Sequence, residues 1–297
     1  MQEQLTPDFG DYELIDTGDF EKLERFGRYV TRRPEPQAIW RRTLSEEEWR
    51  RTADAAFLRD ARSDERGEWR LAPKTPDRWT VEYSYRGMRL RMRLGLTSFK
   101  HVGIFPEQAA NWNFIYDECR KLAGDSGGAK VLNLFAYTGG ATLAARAAGA
   151  EVTHVDSVKQ VVTWARENME QSGLEGVRWI VEDALKFVRR EVRRGSRYRG
   201  IILDSGLRAR GQRRKVGVGG RHLRDAGLLC AAAGAGKRLP RAEPLFDGAF
   251  PDAGPHRRKA GVRGSAHGTV GRTVLLRPGR QGTAAGDLLP VHAVGAF

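Results

Sequence analysis

Glycine and acidic residues recur through the middle of the chain in an order that packing alone does not require. Tyr137-Thr138-Gly139-Gly140 follows one apolar run; Asp156 closes a second, Asp183 a third and Asp204 a fourth. Aspartate is common in turns, so any one of them says little. Together they have the makings of a ligand site. Glycines let the backbone approach a bound group closely, and the N-terminus of a following helix favours negative charge. A carboxylate can accept from two vicinal hydroxyls or from an exocyclic amine.

The segments between these residues alternate in type. VLNLFAY, EVTHVD, VRWIVED and YRGIILD read as buried strands, and ATLAARAAGA, KQVVTWARENMEQSG and ALKFVRREVRR as helices. On the second helix Val161, Trp164, Ala165 and Asn168 share a face. Apolar strands alternating with helices predict an α/β fold, a Rossmann-like doubly wound parallel sheet. In such sheets ligands sit at the carboxyl ends of the strands, beside the point where strand order reverses. A dinucleotide site would carry G-x-G-x-x-G, whereas residues 133–140 read N-L-F-A-Y-T-G-G. Asp156 suits ribose hydroxyls and Asp183 an adenine amine. A ligand with a carboxylate, a ribose and an adenine but no pyrophosphate is S-adenosylmethionine. An NAD-linked Rossmann oxidoreductase is the alternative.

Upstream, residues 1–95 form a small α+β region. SEEEWRRTADAAFL opens a helix at Ser45, a good N-cap followed by acidic residues. RWTVEYSYRGMRLRMRL has period two on both sides of Arg86-Gly87, which predicts a β-hairpin burying Trp79, Val81, Tyr83, Tyr85, Met88, Leu90, Met92 and Leu94. Its outward Arg89, Arg91 and Arg93 are read as a solvated strand face in preference to an RNA contact. HVGIFPEQAANWNFIYDECRKL predicts a short strand, a Pro turn and a helix, and GDSGG a linker. Residues 96–204 then form the ligand-binding domain.

The formal net charge is +14, with 51 basic and 37 acidic residues. Residues 205–297 hold 17 of the basic and 5 of the acidic ones, so the preceding 204 residues are nearly neutral. The high pI therefore says little about partners of the first two thirds. Two cysteines, Cys119 and Cys230, make neither a disulfide framework nor a zinc site. Cys119 reads as a small core residue, and no metal is expected. The acidic N-terminus lacks the apolar core of a signal peptide, and no run reaches membrane-spanning length, which predicts a cytoplasmic protein.

VLNLFAYTGGATLAA, EVTHVDSVKQVVTWARENMEQSGL and WIVEDALKFVRREVRRGSRYRGIILD closely resemble a bacterial family of class I S-adenosylmethionine-dependent methyltransferases, related to the large-subunit ribosomal RNA cytosine-C5 enzymes. FKHVGIFPEQAANW and YELIDTGDFEKLERFG are similar to the same family, so the resemblance spans roughly residues 10–204. It implies methyl transfer to RNA, with Gln108, Asn133, Phe135, Tyr137, Thr138, Gly139, Asp156 and Asp183 at the cofactor and Asp204 at the catalytic strand end. That family's strand end reads Asp-Pro-Pro; this chain reads Asp204-Ser205-Gly206. Cytosine-C5 chemistry needs a nucleophilic Cys. Neither Cys119 nor Cys230 sits at a suitable strand end, so the acceptor atom stays open, and a small-molecule or protein acceptor stays open with it.

From Ser205 onward the composition changes, with no Trp, Tyr, Ile, Met or Asn. Shifting each codon by one base lets SGLRARGQRRKV be read P-A-Y-G-R-G-A-N-G-E-K-W, EPLFDGAFPDAG as S-x-Y-S-M-A-L-S-P-T-L-A, and HAVG as T-R-W-E. All three resemble the family's continuation, in order and in one frame. The expectation is a frameshift near codon 204 that leaves residues 205–297 as an out-of-frame, disordered basic tail, with the parallel sheet truncated after its fourth strand and the chain inactive as written. The tail's His222, His256, His267 and His292 would then be accidental. A genuine basic RNA-binding tail without catalysis is the alternative.

Overall fold

A computed structural model describes residues 8–63, 65–124 and 128–204 and the backbone of 273–275. The N-terminal strands β1 (Tyr12–Gly18), β2 (Glu21–Phe26) and β3 (Tyr29–Pro34) form an antiparallel meander. Helix α1 (Glu46–Thr52) crosses over to β4 (Ala55–Arg59), which runs parallel to β3 and pairs antiparallel with β5 (Gly67–Leu71). Ser45 caps α1, as its sequence predicts, and does so in a reciprocal capping box with Glu48. Trp49 of α1 is buried with Leu23 and Val30, and its indole N–H donates to Asp16 at 2.8 Å.

This five-stranded sheet escapes the sequence reading because its buried positions include charges. Glu24 and Arg33 are buried, and the guanidinium grips the carboxylate through two bonds of 2.6 and 3.1 Å. Burial disfavours the ionised Glu24, but Arg33 and Lys22 outweigh it and hold the pKa at about 2. A strand whose inward residues are ionic shows no hydropathic alternation.

The hairpin β6 (Arg78–Tyr85) and β7 (Met88–Gly95) turns at Arg86-Gly87, with Val81, Tyr83, Met88, Leu90, Met92 and Leu94 buried and Trp79 and Tyr85 partly so. Its outward Arg91 and Arg93 pair with Glu82 at 3.0 Å and Glu167 at 2.8 Å, as a strand face balanced by its neighbours. The expected short strand at 101–105 is irregular chain instead, tied by the Gly95 N–H to the Val102 carbonyl at 3.0 Å. A one-turn 3-10 helix, Pro106–Gln108, leads into α2 (Ala109–Gly124), where Cys119 is buried in the core.

The second half alternates as predicted: β8 (Lys130–Leu134), α3 (Gly140–Ala147), β9 (Glu151–Asp156), α4 (Lys159–Gln171), β10 (Val177–Val181), α5 (Ala184–Arg193) and β11 (Gly200–Asp204). The order is β10-β9-β8-β11, all parallel. Strand order therefore reverses between β8 and β11. On α4, Val162, Ala165, Asn168 and Met169 are buried, while Val161 and Trp164 are partly covered. Leu132, Leu134, Val155 and Ile201 face α5 through Phe187 and Val188; Val131, Val152 and Ile202 face the hairpin and helix layer.

Beside β11, Thr273–Leu275 adds a short antiparallel strand, β12, which the expectation of a sheet ending at the fourth strand did not include. A Thr-Val-Leu run with strand propensity is enough to pair with an open sheet edge. The rest of the expected disordered tail, Cys230 and the four tail histidines lie outside the described residues.

Candidate functional site at the strand ends

The loop between β8 and α3 is built from unusual backbone. Phe135 has φ +57°, Tyr137 +49° and Gly139 +94°, and the first two are bulky residues in the left-handed region. Such conformations persist only where surrounding structure holds them. The Tyr137 N–H donates to Asp156 Oδ2 at 3.0 Å, and Ala136 N–H to the Val155 carbonyl at 3.2 Å. Thr138 is buried, its hydroxyl donating to the Gly103 carbonyl at 2.6 Å and its carbonyl accepting from Asn168 Nδ2 at 2.9 Å. Gly139 and Gly140 are required by close neighbours: a Cβ on the first would press on Ala165, and one on the second would meet the Trp112 indole at 2.7 Å.

Asp156 is thus drawn into the loop. Its Oδ1 accepts from the Val158 N–H at 3.0 Å, so each oxygen holds one backbone amide. An ionised carboxylate has about four acceptor directions. About half of that capacity remains for a ligand, which fits a pair of ribose hydroxyls. The Glu182 N–H donates to the Asp156 carbonyl at 3.0 Å, joining the end of β10 to that of β9.

Asp183 follows at that end, and its carboxylate caps α5 by accepting from the Lys186 N–H at 2.9 Å. Phe135 is 38% exposed, an aromatic face left open at the switch point. Gln108 is buried, and its side-chain oxygen accepts from Asn111 at 2.7 Å. Phe105, three residues earlier, packs against Tyr137 in a tilted ring contact with centroids 5.4 Å apart, which brings the 103–108 segment over the β8 loop. Burial, with Asp156 adding and Arg33 opposing, pushes the Tyr137 hydroxyl up to about 12. It therefore stays protonated. Asp204 lies at the end of β11, on the other side of β8 from Asp156.

Asn133 lies beneath this surface. It is buried and donates to Thr142 Oγ1 at 2.8 Å; Thr142 in turn meets His154 Nδ1 at 2.9 Å. Burial pulls the His154 pKa down to about 3, so the imidazole is neutral. This chain pins the first turn of α3 to β8 and β9. The sequence reading missed Thr142 and His154. The visible signal was a polar residue at a buried position in each of two strands, Asn133 in β8 and His154 in β9. It also gave Asn168 a helix face but no task, although a polar residue on a buried face calls for a partner.

No protein-family model matches the chain. Among curated proteins, the ribosomal RNA large subunit methyltransferase K/L of Shewanella frigidimarina is 36% identical over 103 residues, 33% of this chain and 13% of that protein. Its counterpart in Shewanella loihica is 36% identical over 113 residues, 37% and 14%. The chain therefore spans only about a seventh of these relatives. Among solved structures, a SAM-dependent methyltransferase from Agrobacterium tumefaciens is 44% identical with a TM-score of 0.57, covering 64% of this chain and 58% of that one. Sheet order, strand-end residues and these likenesses agree: the chain has the class I methyltransferase fold and is related to the S-adenosylmethionine-dependent methyltransferases, the large-subunit ribosomal RNA enzymes among them.

Proposed function

We propose that the sheet of residues 130–204 is an S-adenosylmethionine site and that the protein's reaction is methyl transfer to RNA. The observation that carries this is the Asp156 carboxylate, anchored by the Tyr137 and Val158 amides with acceptor capacity to spare. In this reading Asp156 takes the ribose hydroxyls, Asp183 and Phe135 the adenine, and the Tyr137-to-Gly140 loop the amino-acid end. Asn133 supports the loop from below, and Gln108 and Thr138 hold its outer wall. The cofactor supplies an electrophilic methyl on a sulfonium. What the protein supplies is alignment, and positioning contributes roughly 7–11 kcal/mol in oriented reactions. Asp204 sits where the acceptor would be held. An acceptor base inside folded RNA has first to leave its stack. The RNA assignment rests on the names of the relatives.

The stretch after Asp204 enters the proposal as an out-of-frame sequence. The strand end then lacks the rigid Pro-Pro backbone of the related family, and the chain as written is inactive. Two proteins test both statements: the chain as written, and one with the frame restored after codon 204. Calorimetric titration with S-adenosylmethionine is expected to show binding by the restored protein, and methyl transfer to ribosomal RNA by it alone. Absence of cofactor binding by the restored protein would overturn the site; methyl transfer by the chain as written would overturn the inactivity. RNA binding by the chain as written, with neither protein binding the cofactor, would favour the basic-tailed binding protein.

A further inference from the structure

Helix α5 carries positive charge that the fold does not neutralise. Lys186, Arg189 and Arg193 stand at i, i+3 and i+7, so they share one face, and all three are exposed. None of them has an ion-pair partner among the described residues, whereas Arg190 is held by Glu182 at 2.6 Å and Arg194 by Glu191 at 3.2 Å. Glu191 is the acid inside the helix, and it is turned inward: it is 2% exposed and accepts from the Tyr198 hydroxyl at 2.7 Å. The outer face is left with cations alone. Two of the three outward arginines of β7 are the opposite case, since Arg91 and Arg93 have acids beside them.

The helix dipole accounts for part of this, because cations in the last turn are favoured there. It does not account for Lys186, which stands in the first turn, where a cation is disfavoured. The Lys186 N–H is capped by Asp183, the N-cap of α5, so the stripe begins in the first turn beside the strand-end residue Asp183 and runs about 10 Å along the helix.

We propose that this face of α5 binds the phosphate backbone of RNA and leads the acceptor to the strand ends; the inference rests on the RNA reading above. The test is fluorescence anisotropy of the full chain with a labelled single-stranded ribosomal RNA fragment across a salt series. The triple variant Lys186→Gln, Arg189→Gln, Arg193→Gln is expected to bind at least tenfold more weakly at low salt. Its salt slope should be shallower by about two units, at roughly 0.7 for each phosphate no longer neutralised. All three sites are exposed and Gln keeps helix propensity, so circular dichroism should not change. A control triple of equal charge change, Arg50→Gln, Arg51→Gln, Arg62→Gln, should keep the parent slope. Equal losses in both triples would show a net-charge effect and overturn the surface. Parent-like binding by the α5 triple would overturn it while leaving the RNA reading intact. A parent chain without RNA affinity would remove both. Loss of binding to phosphatidylserine vesicles with RNA affinity unchanged would assign the stripe to a membrane and overturn it as well.

Discussion

Two carboxylates that look alike in the sequence differ in what the fold asks of them. Asp156 is tied to two backbone amides from two loops, whereas Asp183 is a helix cap. Asp156→Ala is expected to weaken S-adenosylmethionine binding by ten- to a hundredfold, about 1.5–3 kcal/mol for hydrogen bonds to a charged group, measured by calorimetry on the frame-restored protein. Phe135 offers a second test. Its φ of +57° suits glycine, so Phe135→Gly relieves backbone strain while adding unfolded-state entropy. Stability should stay within about 1 kcal/mol in urea titration while cofactor affinity falls. The placing of the aspartates and glycines at strand ends was legible in the sequence because each follows an apolar run. The left-handed backbone at Phe135 and Tyr137 was not, because neither is a residue type that announces a positive φ. Asn133 is a further lesson: resemblance puts it at the cofactor, and the structure gives its amide to Thr142 beneath the loop.

Helix α4 holds the hairpin by its exposed backbone edge. Trp164 Nε1 donates to the Arg93 carbonyl at 2.8 Å, Asn168 Oδ1 accepts from the Arg93 N–H at 2.8 Å, and Ser172 Oγ accepts from the Arg91 N–H at 2.9 Å. These residues recur every four positions, so one helical stripe takes the place of a missing strand. Asn168 also donates to the Thr138 carbonyl. Asn168→Leu leaves the buried Thr138 carbonyl and the partly buried Arg93 N–H without this side chain and is expected to cost roughly 2–4 kcal/mol by denaturant unfolding. Gly140→Ala drives a methyl into Trp112 and should cost about 1–3 kcal/mol. The hairpin itself was legible to the residue, since period two with one apolar face has no competing reading. The sheet of β1 to β5 was not, because Glu24 and Arg33 hide a buried face behind ionic residues.

For the molecule as a whole, acid is the sensitive side. His154 has a pKa of about 3 in the folded chain against 6.5 as its ordinary value, so between those values the unfolded chain binds more protons and stability falls as pH falls. Glu24 works in the same direction lower down, its contribution present above 4.5 and lost toward 2. The unfolding free energy should therefore decline from about pH 6.5 downward. In His154→Gln the part of that slope above about pH 5 should become shallower, with His101, which burial pulls down to about 4, supplying the remainder; an unchanged slope there would show that His154 is accessible to protons in the native state. Frame restoration belongs to this scale too. Apolar burial is worth about 25 cal/mol per Å², so further strands beside β11 should raise the urea midpoint well above that of the chain as written. The alternation of strands and helices up to Asp204 was legible because the parallel strands carry apolar runs set between helical stretches; the pairing of 273–275 was not, because three residues carry no period.

The clamp between α4 and β7 also sets a timetable. Arg91 and Arg93 find their partners 71 to 81 residues later in the chain, so the hairpin edge is unsatisfied while only the N-terminal half has been synthesised. During translation residues 78–95 wait for residues 164–172 to emerge, and for that interval the growing chain displays an open strand edge to its surroundings. The N-terminal region is made first and completed late, with its last contacts supplied by the same helix that steadies Thr138.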